Sequence, residues 1–239
     1  MADRYKLGRL PATRPFGLSD LSVYASGKLP APPAEVTVPA AGYPIDGNDQ
    51  YGDCTMAGVA HLIAAWDAEV SEADPIPDAQ EVVQTYFELS GGQDTGLNEA
   101  NVLQAWRNQG LFGRKIAAYA PVDPKNIVEL HQAIAFYGGA YLGIVCPESA
   151  QQQFAADQPW TFVPGSPIAG GHCIDALGFT QNGLLCATWG GIALVTYGFL
   201  AHFLDEAWAV LGNQAVERQG DALGIDLVTL RADLDSLSR

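Results

Sequence analysis

Two side chains far apart in the chain have the types and settings that could share one reaction. Cys54 lies in Gly47-Asn48-Asp49-Gln50-Tyr51-Gly52-Asp53-Cys54-Thr55-Met56-Ala57-Gly58, where a polar, glycine-punctuated loop runs into an apolar-periodic helix. Asp53 is a good N-cap residue, which makes Cys54 the first helical residue. Unpaired N–H groups and the positive end of the helix dipole gather there, and both favour thiolate over thiol. His172 lies in Gly170-Gly171-His172-Cys173-Ile174-Asp175-Ala176-Leu177-Gly178-Phe179, opening an apolar strand after a glycine pair. A thiol within hydrogen-bond reach of an imidazole can form a thiolate–imidazolium pair that attacks a carbonyl carbon. A third stretch, Cys186-Ala187-Thr188-Trp189-Gly190-Gly191, closes the following strand.

The pattern predicts the elements that must position these groups. The helix from Cys54 runs to about Glu69 with a narrow face of small residues, suited to burial against a sheet. His61, about 10 Å along its axis from Cys54, is too far for direct proton transfer and reads as a structural histidine. Asp78 opens a second helix with a capping box and Asn98 a third. Residues 111–119 read as a strand, and Asp123-Pro124 opens a fourth helix that ends at Gly138-Gly139. His131 on that helix is expected at the surface. Residues 140–146 form a short, wholly apolar strand expected at the centre of the sheet. A short helix over 149–156 follows, then a loop over 159–171 placed to wall a groove before His172. Asn182-Gly183 is a two-residue hairpin signal, which sets Cys173 and Cys186 facing each other. A strand over 192–197, a helical turn over 199–205, a last strand over 207–211 and an amphipathic helix over 226–237 complete the chain.

Cysteine on a helix start, histidine on a strand start and a Trp-Gly strand end resemble, in order and context, the papain-like cysteine peptidases. That family reads Gln…Gly-x-Cys, then Gly-His-Ala-Val-x-x-x-Gly-Tyr, then Asn-Ser-Trp-Gly; the resemblance spans residues 47–191, and Asp94-Thr95-Gly96-Leu97 fits it as well. It implies an α+β fold in which the helical half, carrying the cysteine on its central helix, packs on an antiparallel sheet half. It also implies a peptide- or amide-bond hydrolase built on Cys54 and His172. Counting back from Trp189, the family's imidazole-orienting Asn falls on Ala187, which cannot do that work. A one-residue adjustment of the hairpin brings in Thr188 instead. Asp175 lies on the opposite face from His172 and reads as an exposed strand carboxylate. The oxyanion amide is either Asn48 or Gln50. Asp53 beside the cysteine opposes thiolate formation, so its expected part is the cap.

Residues 1–46 hold seven prolines and little periodicity, with apolar residues such as Leu10, Phe16, Leu18 and Leu21. They read as an extended arm packed on this globule or on a neighbouring subunit. In the resembled family a preceding segment can cross the cleft as an inhibitory propeptide, but no propeptide motif is present here. The expected organisation is an arm (1–46), a papain-like domain (47–212) and a C-terminal helix or tail (213–239). At 239 residues the chain can bury a substantial core, and 12 basic against 27 acidic residues give a net charge of −15. That charge repels polyanions and argues against nucleic acid or an anionic membrane as partner. The opening residues lack the apolar core of a signal peptide, and no run suffices for a membrane span. The four cysteines are expected as reduced thiols without a zinc spacing, in a cytoplasmic setting or a virion. No cofactor is called for. The expected partner is a peptide or protein substrate, or a neighbouring subunit held through the arm. The rival reading of function is a catalytically degenerate papain-fold assembly protein, such as a bacteriophage virion component. A peptidoglycan amidase would ordinarily bring an export route or a wall-binding module, and neither is visible.

Overall fold

The computed structural model describes residues 5–25, 29–70, 76–219 and 224–237. The helices are α1 (Leu21–Ala25), α2 (Cys54–Val70), α3 (Ala79–Leu89), α4 (Glu99–Asn108), α5 (Ile127–Tyr137), α6 (Glu148–Ala155), α7 (Tyr197–Phe203), α8 (Asn213–Gln219) and α9 (Leu227–Ser236). The strands are β1 (Ile116–Pro121), β2 (Ala140–Pro147), β3 (Ile168–Thr180), β4 (Gly183–Thr188), β5 (Gly191–Thr196) and β6 (Leu204–Gly212). They form one antiparallel sheet in the order β1-β6-β2-β3-β4-β5. The expected α+β layout, with helices first and a sheet meander later, is the layout observed. No helix among the described residues is long and apolar enough to cross a membrane.

The central position of β2 follows from its composition. Its residues Ala140, Tyr141, Leu142 and Ile144 are fully buried, with β3 on one side and β6 on the other. Helix α2 lies across this part of the sheet with Val59, Leu62, Ile63 and Ala65 all fully buried. Gly58 permits the approach, because a Cβ there would stand 2.7 Å from the Tyr141 ring. The Tyr141 hydroxyl donates to the Thr55 carbonyl at 2.6 Å, which ties the first turn of α2 to β2. The start of the helix is thus fixed in height and rotation relative to the sheet.

Several local expectations are corrected. Helix α5 is capped by the Asn126 side chain, which accepts from Glu129 N–H, rather than by Asp123. Asp123 instead accepts from Lys125 N–H in the preceding turn. His131 is half-buried: its ring stacks on Phe179 at 3.9 Å and its Nε2 lies 2.9 Å from the Tyr197 hydroxyl. Residues 111–115 form a tight turn, closed by the pair Leu111 and Arg114, ahead of β1. A bulge in β3 between Ala176 and Gly178 sets Cys186 opposite Ala176, while Cys173 pairs with Gly143 of β2. The two cysteines therefore do not face each other. All four cysteines are free and buried.

Candidate active site

Cys54 is the first residue of α2 and is 2% exposed. Asp53 occupies the cap position with its backbone only: its carbonyl accepts from Met56 and Ala57 N–H. Its carboxylate is buried without a hydrogen-bond partner and turns back towards Gly47. Burial pushes that carboxyl up to about 8, against the opposing pull of the Asn48 amide. The thiol meets the backbone N–H groups of Cys173 and Gly8. Burial nevertheless pushes Cys54 up to about 12, and the carboxylates of Asp53 and Glu99 add to the rise. The thiolate expected from the helix start is thus outweighed in this state, since a desolvated anion costs more than a helix end returns.

His172 is fully enclosed near the start of β3, and Cys173, which touches the thiol, is the next residue. Its Nε2 lies 2.8 Å from Thr188 Oγ1, while its Nδ1 is buried without a hydrogen-bond partner. The β4–β5 turn places the ring's other neighbour. Trp189 (φ +39°) and Gly190 (φ +84°) both take left-handed backbone, as a primed two-residue hairpin requires. The conformation costs a bulky residue about 1–2 kcal/mol. It lays the indole over His172 with centroids 4.3 Å apart. Burial, with the positive charge of Arg9 and His61 adding, holds the imidazole down at about 3.

Ala187 points away from this group. It pairs with Asp175, and residues directly opposed on neighbouring strands share a face, the one opposite to Thr188. Asp175 does face away from His172 as expected, but it is fully buried rather than exposed. Its Oδ2 lies 3.5 Å from His61 Nδ1, whose Nε2 is 2.8 Å from the Pro44 carbonyl and 3.6 Å from Asp46. Burial raises Asp175 and Asp46 to about 6. His61 is thus a buried structural residue. Of the two oxyanion candidates, the Asn48 side chain is buried and donates to the Tyr51 carbonyl at 3.0 Å. Gln50 is exposed and lines a groove with Gly52, Gly96 and Gly171.

One wall of that groove is the chain's own N-terminal arm, Lys6 to Leu10. Tyr5 stacks on Trp189 at 4.9 Å, and Trp189 Nε1 donates to the Lys6 carbonyl at 3.2 Å. Lys6 N–H donates to the Asn48 carbonyl at 2.8 Å, and Arg9 N–H to the Gly171 carbonyl at 3.1 Å. Leu97 N–H donates to the Gly8 carbonyl at 2.9 Å, and Leu10 N–H returns a bond to the Leu97 carbonyl at 2.9 Å. Gly8 passes so close to Gly52 and Gly96 that a side chain at Gly8 or Gly96 would collide with backbone, and a Cβ on Gly52 would stand only 3.1 Å from the arm. The Arg9 side chain, 1% exposed, donates to Asp205 at 2.7 Å, Glu206 at 3.0 Å and the Ile144 carbonyl at 3.2 Å. The expectation of a packed arm holds for this segment, but its course over the cysteine, and the roles of Arg9, Glu99, Asp205 and Glu206, were not foreseen. Hydrogen bonds spanning up to 197 residues leave no local pattern to read.

The architecture matches solved structures of one kind. Xylellain, a cysteine protease from Xylella fastidiosa, aligns with a TM-score of 0.66 and 14% identity over 87% of this chain and 97% of its own. A ragweed pollen allergen cysteine protease in its proform gives 0.62 and 12% over 89% and 70%. ProCathepsin B from Trypanosoma congolense gives 0.59 and 10% over 89% and 87%. The fold is papain-like. No protein-family model and no curated protein matches the chain. In this papain-like chain, the resemblance read from Cys54, His172 and Trp189 is therefore carried by architecture at identities that speak for the fold alone.

Proposed function

We propose that the protein is a papain-like cysteine hydrolase of peptide or amide bonds, working through Cys54 and His172. The observation that carries this reading is the two-sided setting of the imidazole. Nε2 is held by Thr188 at 2.8 Å, and Nδ1 is left without a partner on a residue whose neighbour touches the Cys54 thiol. Nδ1 takes the thiol proton, Sγ attacks the carbonyl carbon, and His172 returns the proton to the departing amine. The resulting thioester is cleaved by water, whose proton passes through the same imidazole. The Cys54 backbone N–H and the free amide of Gln50 are the oxyanion donors in this scheme. Asn48 is left out because its amide is already engaged. Thr188 orients the ring in place of the family's asparagine.

A second reading, a silent papain-fold assembly protein, draws on the covered and protonated thiol. Hydrolysis of a fluorogenic peptide library by the intact protein and by Arg9→Ala, which frees the groove, separates the two. Cys54→Ala and His172→Ala should each abolish turnover to the same extent, since the pair acts as one unit. Hydrolysis that survives Cys54→Ala sinks the enzyme reading. Absence of turnover in Arg9→Ala, together with an unreactive Cys54, establishes the scaffold.

A further inference from the structure

The groove that holds the arm is more specific than a strip of backbone contacts. At Arg9 the body forms a socket. Gly143 of β2 sits between Cys173 of β3 and Glu206 of β6, three residues in one row across the sheet. A Cβ on Gly143 would stand 2.9 Å from the Arg9 guanidinium, so only glycine leaves room for that group. Around the space stand the Glu206 carboxylate, itself fixed by Trp208 Nε1 at 3.1 Å, both oxygens of Asp205, and the Ile144 carbonyl. Glu99, fully buried and with neither carboxylate oxygen hydrogen-bonded, adds a further acid that interacts with Arg9. A planar, delocalised cation with several donors suits such a fork of acceptors; a lysine ammonium would leave acceptors unmet.

We propose that this socket is an arginine-binding subsite of the cleft, and that residues 5–10 are its intramolecular ligand. The corresponding external ligand is a peptide carrying arginine beside a small residue, with the small residue lying over Cys54. The inference deepens the hydrolase reading by naming the substrate class, and it rests on that reading for the word substrate, though not for binding. Glycine is demanded over the thiol because Gly52 and Gly96 approach there. The acidic surface, with a net charge of −15, draws such a cationic peptide in. At this point the arm turns the Gly8 N–H towards the thiol, and the Gly8 carbonyl accepts from Leu97 N–H.

The test uses the full-length chain and reads Cys54 alkylation by iodoacetamide with mass spectrometry. Arg9→Ala should label at least tenfold faster than the parent. The free acetylated, amidated peptide Lys-Leu-Gly-Arg-Leu-Pro should then protect Cys54, and the same peptide with citrulline for arginine should need at least tenfold more. Glu206→Gln in the Arg9→Ala background should erase that preference. Should Arg9→Ala misfold by circular dichroism, Glu206→Gln alone, which leaves the arm in place but weakens its anchor, should still speed labelling severalfold. Equal protection by the two peptides, or no protection by either, overturns the socket. Unchanged labelling in folded Arg9→Ala overturns the arm as its ligand. Arginine-selective protection without any hydrolysis leaves the socket standing and removes the hydrolase reading alone.

Discussion

Thr188 is the residue on which the reading of the site turns most finely. Its hydroxyl is the only hydrogen-bond partner of the His172 ring among the described residues, while stacking on Trp189 would survive its loss. Thr188→Ala should therefore lower kcat/KM about tenfold, some 1.4 kcal/mol, rather than abolish turnover. Loss as large as that of His172→Ala would make the hydroxyl more than an orienting group. Ala187→Asn should fail to help, although Ala187 falls on the family's asparagine by count. Its side chain is buried on the Asp175 face, so an amide there costs on the order of 1–3 kcal/mol of stability, read as a lower urea midpoint. At this scale the sequence was legible wherever function follows from a residue and its immediate neighbours. The helix start at Cys54, the strand position of His172 and the nearness of Thr188 rather than Ala187 to its ring could be placed that way, while their part in a reaction belongs to the proposal. Glu99 could not, because as the first residue of a well-capped helix it reads as an ordinary solvated acid, and only packing buries it.

At the scale of the element, the start of α2 carries a pH dependence. A carboxyl with a higher pKa in the folded than in the unfolded state binds its proton more tightly when folded. Its contribution is present in acid and is lost as pH rises towards the folded value. Asp46 and Asp175, raised to about 6 by burial, complete that loss first, and Asp53, raised to about 8, completes it last. His172, held at about 3 by burial, acts in the opposite sense and loses stability as pH falls below its ordinary value of about 6.5. The opposing contributions overlap below about pH 6.5, and above it the decline due to Asp53, joined by Glu99 and His61, which are also raised, stands uncompensated. Urea midpoints measured from pH 6.5 to 8.5 should fall, and Asp53→Asn should flatten that limb. Parallel curves for parent and variant would place the titration elsewhere. The periodicity located α2 to within a residue or so, yet it assigned Asp53 a side-chain cap that the close packing of Gly47 diverts. Element ends written by a single residue, such as Asp123 against Asn126, were likewise settled by which side chain reached the first free N–H.

For the whole molecule, the C-terminal helix was legible as a helix but not as a part of the core. Leu230 and Leu234 of α9 are buried, Asp226 N–H donates to the Tyr24 carbonyl at 2.9 Å, and the Tyr24 hydroxyl donates to Asp233 at 2.8 Å. Arm, body and C-terminal helix are thereby expected to unfold together. Leu230→Ala should shift one cooperative transition by about 2–5 kcal/mol. A separate early transition, with the body unmoved, would show a detachable tail.

The arm's partners also impose an order in time. The arm needs Leu97, Gly171 and Glu206 already in place, so a segment made before all of its partners is among the last to find its seat. Where the body closes before the arm docks, there is an interval in which helix, imidazole and socket are assembled while the thiol still faces solvent. During that interval a nearby peptide of the right kind competes with the molecule's own arm on equal chemical terms. Concentration and tethering then decide which one is captured.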